Sequence, residues 1–148
     1  NSKDAAALGL CVLNPPEAPK TPHAFINNWC EWEGALRLNL AQNRAQKLKR
    51  DGVPGAPEHP AGAAAAAKTA FAMDSPLDAE IFLGEARWKA IENFQGLSLF
   101  NENAIYAYLL KLRLCERRQA FKTEEGFLEY KTLYDSILKA SNPRGELE

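Results

Sequence analysis

The chain has 148 residues, 46% of them hydrophobic and 25% charged, a composition that suits one globular domain burying about 70% of its unfolded surface and excludes wholesale disorder. Its 18 basic and 19 acidic side chains leave a formal net charge of −1. A dedicated nucleic-acid binder would carry a basic surplus, so any electrostatic function falls to local patches.

Residues 1–22 contain one short apolar run and then four prolines, and read as a linker in which "LGLCVL" is a packed remnant of an upstream part. The first residue is Asn rather than Met, which suggests a piece of a longer protein. Thr21-Pro22 predicts a helix start, with Thr as cap and Pro in the first turn, and the helix should run to about Arg50. Phe25, Trp29, Trp32, Leu36 and Leu40 repeat at helical spacing and form one apolar stripe. Prolines and glycines at about 51–62 predict a mobile loop, and the alanines that follow predict a short helix across roughly 62–72. Ser75-Pro76 starts the next helix, which ends near Gly96 and places Leu77, Ile81, Trp88 and Ile91 on one face. Asn101 caps a helix covering residues 104–121. Thr123 caps a last one, lined by Phe127, Tyr130, Tyr134, Ile137 and Leu138 and ending near Ala140. Nothing alternates at period two. The expected fold is all-α: a small bundle of four long helices plus a short Ala-rich one, with the domain at 23–141 and a tail at 142–148.

The stretch "AIYAYLLKLRLCERRQAF" (104–121) carries two apolar stripes when set on a helical wheel. Ile105, Tyr108, Leu109, Leu112 and Cys115 form one; Tyr106, Leu110, Leu114 and Phe121 form the other. Two stripes predict a helix packed on both sides, whereas a membrane-surface helix has a single stripe and a broad polar face. Trp29, Trp32, Leu36, Leu109 and Leu112 are therefore expected in the core. Glu116 falls on the first stripe, and a buried carboxylate needs a partner. Arg44 is the expected one, with Arg37 as the other choice, giving a structural rather than catalytic pair. Asn39 and Asn43 interrupt the first helix's stripe in the same way.

Cys11, Cys30 and Cys115 are an odd, irregularly spaced set, and His23 and His59 lie far apart. They predict neither a metal site nor a disulfide framework, and they read as reduced cytosolic thiols. No apolar run reaches the roughly 20 residues that span a bilayer. No phosphate-binding glycine loop, zinc motif or nucleophile elbow is present, so no enzyme, cofactor or small-molecule substrate is expected. Basic residues gather late in two helices: Arg44, Lys47, Lys49 and Arg50, then Arg113, Arg117, Arg118 and Lys122. Cations there complement the helix dipole, and the same positions are the candidate partner-binding residues: Lys47, Lys49, Arg50, Arg117, Arg118 and Lys122.

Two segments, "FINNWCEWEGALRLNLAQNRAQKLKRDG" (25–52) and "FNENAIYAYLLKLRLCERR" (100–118), resemble a family of uncharacterised bacterial proteins encoded beside V-type (A-type) ATPase subunits. Both are also loosely similar to the d-type central-stalk subunit of those ATPases. That resemblance falls on Asn39, Arg44, Ala45 and Lys47 in the first segment and on Tyr108, Lys111, Glu116 and Arg117 in the second. It covers roughly 25–140, although the d-type stalk protein is built of three helical units and this chain has room for one at most. The resemblance implies a non-catalytic stalk or assembly element of a V-type ATPase, partnered by other subunits, cytoplasmic and reaching the membrane only through the complex. The alternative is a nucleic-acid-binding helical module that uses the basic helix ends.

Overall fold

A computed structural model describes residues 2–16, 21–50, 60, 62–97, 100–121 and 123–141, and every regular element among them is helical. In chain order these are α1 (Ser2–Gly9), α2 (Ala24–Lys47), α3 (Ala63–Phe71), α4 (Pro76–Gln95), α5 (Glu102–Gln119) and α6 (Thr123–Ser141). The expected mobile loop falls almost wholly on residues outside the described ones, as do Lys122 and the tail at 142–148. The chain divides into two compact units, Asn1–Cys115 and Glu116–Glu148, so the expected domain at 23–141 runs across the boundary between them.

Helix ends follow their local chemistry. Ser75 caps α4 by accepting from the Asp78 amide at 3.2 Å, with Pro76 in the first turn. Gly96 closes that helix at φ 68°, a left-handed conformation that costs glycine little. Asn101 caps α5 by accepting from the Ala104 amide at 3.1 Å. Gly62, at φ 91°, turns the chain into α3, and a Cβ there would reach within 4.0 Å of the Trp32 indole nitrogen. Thr21 does not cap α2. The cap position belongs to His23, which makes no side-chain cap bond. Thr21 and Asn27 instead clasp one another: the Thr21 amide donates to Asn27 Oδ1 at 3.0 Å, and Asn27 Nδ2 donates to the Thr21 carbonyl at 2.8 Å.

The first unit is organised around α2. Phe25, Ile26, Trp29, Cys30, Trp32, Ala35 and Leu36 of that helix are all buried, so the expected tryptophan stripe is the core. α2 packs against α3 and α4, which also touch each other. The α3 contribution is a face of alanines, Ala63, Ala66, Ala67 and Ala70. α4 contributes Leu83, Ala90 and Ile91, while Leu77 and Ile81, expected to share a face with Ile91, are exposed. α5 brings Tyr106 against Phe25 (ring centroids 5.9 Å apart) and against His23 in an edge-on contact (5.5 Å). Residues 2–16 are packed beyond the expected "LGLCVL" segment, within which Cys11 is in the core with Leu10 and Leu13 against it. Ala7 joins the core, the Trp29 indole donates to the Val12 carbonyl at 3.1 Å, and Arg37 donates to the Asn14 side chain and, at 2.8 Å, to the Pro15 carbonyl.

α5 corrects the two-stripe reading. Tyr106, Ala107, Leu110 and Leu114 are buried, Leu109 is half-buried, and Ile105, Tyr108 and Leu112 are exposed, Leu112 by 43%. Leu112 is therefore not a core residue. A helical wheel finds apolar stripes but cannot assign a neighbour to each. The buried stripe ends at Leu114, and every described side chain from Cys115 onward is exposed.

Candidate functional site

The buried carboxylate is Glu33, in the middle of α2 and 1% exposed. It lies one turn after Trp29 and so on the same buried stripe, facing α4. Arg87 sits one turn after the buried Leu83 and meets it head-on. The guanidinium donates from Nε to one carboxylate oxygen at 3.0 Å and from Nη2 to the other at 2.9 Å. Arg87 is itself only 11% exposed. Burial pushes the Glu33 carboxyl up from its ordinary value, opposed by the two Arg87 hydrogen bonds, by the charge of Arg87 and by that of Arg37, while Glu80 adds to the rise. With both oxygens held in a fork, Glu33 fastens α2 to α4.

That pair replaces the expected one. Glu116 and Arg44 are both exposed, so they do not form a buried pair. Glu116 belongs to the outer stripe of α5, which the core does not cover, and Arg37 is engaged with Asn14 and Pro15. Asn39 turns back to donate to the Ala35 carbonyl at 2.8 Å. The signal for Glu33 was in the sequence all along: a carboxylate at Trp29 plus four and an arginine at Leu83 plus four occupy apolar stripes just as Glu116 does.

A second charged cluster lies at the surface between α4 and α5. Lys111 donates to Glu92 at 3.2 Å and sits over the Trp88 ring, 4.9 Å from its centroid, while the Trp88 indole donates to the same carboxylate at 2.8 Å. These hydrogen bonds, Lys111's first, hold the Glu92 carboxyl below its ordinary value. Among the described residues no group of three or more His, Cys, Asp and Glu side chains is placed to hold a metal ion.

The candidate partner-binding cations divide between the two units. Lys47, Lys49 and Arg50, in the first, are exposed at the end of α2, with Lys47 lying over the Phe71 ring. Lys49 has φ 50° where the helix ends. Arg117 and Arg118, in the second, are exposed, and Arg117 lies over Phe121 at 5.6 Å. Of the positions named for the expected ATPase resemblance, Ala45 is buried and Arg44, Tyr108, Glu116 and Arg117 are exposed. Near the start of α5 a shallow concavity of about 720 Å³ is lined by Phe100, Asn101, Glu102, Ala104, Ile105 and Tyr108.

No family model, curated protein or solved structure matches the chain. No helix among the described residues is long and apolar enough to cross a membrane.

Proposed function

We propose that this chain is a non-catalytic helical component of a V-type ATPase, a stalk or assembly element that works through its outer helix surfaces. The observation supporting this reading is how the chain distributes its chemistry. Its buried ion pair is closed within the fold, whereas Phe100, Ile105, Tyr108 and Leu112 stay exposed, the first three around a concavity that Glu102 also lines. Exposed apolar groups with charged rims are what a docking surface requires: the apolar part supplies affinity, and the charges set orientation and association rate. The link to a V-type ATPase rests on the resemblance of residues 25–52 and 100–118. The cytoplasmic, membrane-peripheral location follows from that assembly.

Affinity purification from the source cells tests it, with the intact protein as bait. ATPase subunits should copurify. Glutamate at Lys47, Lys49 and Arg50, or at Arg117, Arg118 and Lys122, should weaken recovery without loss of helix content. Failure of any ATPase subunit to copurify with the wild type would overturn the assignment. Recovery of nucleic acid, lost steeply as salt rises, would favour the alternative module.

A further inference from the structure

We infer that α6 is a self-association helix, and that its occupant is the α6 of a second copy of this chain. On α6 the residues Phe127, Tyr130, Tyr134 and Ile137 follow one another at intervals of three, four and three. That spacing keeps them on one seam, and Leu133 flanks it. All five are between 51% and 66% exposed. Tyr130 and Tyr134 are already stacked on each other, their centroids 6.1 Å apart and their planes 21° from parallel.

The opposite side of the helix carries one apolar residue, Leu128, among polar, self-satisfied groups. Thr132 Oγ1 donates to the Leu128 carbonyl at 2.8 Å and Ser136 Oγ to the Leu133 carbonyl at 2.7 Å.

Three considerations select a second copy. The three-four-three spacing reads the same in both directions, so a two-fold axis crossing the helix at Thr132 sets Phe127 opposite Ile137 and Tyr130 opposite Tyr134 across the two copies. Every seam residue thereby gains an apolar counterpart, as an isologous contact requires. Area agrees: at this exposure each of the five side chains offers on the order of 100 Å², so two copies cover roughly 1,000 Å², the threshold for a specific but reversible dimer. Charge argues against a membrane surface, because residues 123–141 carry four acids (Glu124, Glu125, Glu129, Asp135) and only two lysines (Lys131, Lys139), the reverse of a helix drawn to anionic lipid.

Sedimentation of the full chain from about 1 to 100 µM tests the inference. The wild type should pass from monomer to dimer with concentration. Tyr134→Glu should raise the dissociation constant about tenfold or more, and so should the milder Ile137→Asn, while Glu129→Lys on the polar side should leave it unchanged. All three tryptophans lie in the first unit, so unchanged tryptophan emission would show that the variants leave that unit folded. A wild type that stays monomeric throughout, or both seam variants dimerising normally, would overturn the inference. So would a chain monomeric in buffer that binds vesicles of mixed neutral and anionic phospholipid through the same seam.

Discussion

Replacing Glu33 or Arg87 singly by Met should destabilise the first unit far more than replacing both. The pair is bidentate, at 3.0 and 2.9 Å, and its members are 1% and 11% exposed. Breaking such a pair from one side strands a buried charge or a fork of donors, at a cost of about 3–5 kcal/mol. For a chain of this length that lowers Tm by roughly 10–16 °C. Removing both members leaves two flexible apolar side chains of similar volume, so the double variant should come within about 1 kcal/mol of the wild type, and the cycle should return a coupling of about 5 kcal/mol or more. Urea unfolding followed by tryptophan emission reads this directly, because Trp29 and Trp32 lie on the same helix as Glu33.

The pH dependence separates the two single variants. A carboxyl whose value in the folded chain is raised favours the folded state when protonated. That contribution is complete below the unfolded value, taken as 4.5, and is lost as pH rises through the folded one. Arg87→Met removes the main opposing charge and raises the Glu33 carboxyl further. Its deficit should therefore shrink as pH falls from about 7 to 5, while that of Glu33→Met should not. Additive single variants, or a deficit in Arg87→Met that ignores pH, would refute the argument.

Leu36→Ala should cost about 2–5 kcal/mol by emptying a fully buried site, and Leu112→Ala under about 1 kcal/mol, as compared in parallel melts. A thiol reagent near neutral pH should label exposed Cys115 promptly. Cys11 and Cys30 should react only on unfolding, since both are buried and burial, with Cys30 nearby, pushes the Cys11 thiol up to about 11.

The helices were legible wherever the signal was local. Ser75-Pro76 and Asn101 mark starts through bonds made within three residues, and the structure has both. α1 was missed because a short segment of small residues has little periodicity to read, and what holds residues 2–16 in place is distant: the Trp29 and Arg37 side chains. Which stripe of α5 faces inward was equally illegible, since the wheel ranks Ile105–Leu112 and Tyr106–Leu114 alike and contacts distant in sequence, such as those of Tyr106 with His23 and Phe25, separate them. The principle that a buried carboxylate needs an arginine holds at Glu33, whereas Glu116 is exposed and burial makes no such demand there.

The alanine face of α3 has a consequence for how the fold can vary. Ala63, Ala66, Ala67 and Ala70 let the backbone of α3 approach α2 closely, so Ala63 and Ala67, which have no exposure at all, leave no volume for a larger side chain. Each buries little more than a methyl group, so the helix has a weak grip for its length. It combines strict steric intolerance with low cohesive strength. Its amides should exchange with solvent ahead of those of α2, by an opening that leaves the tryptophan core intact.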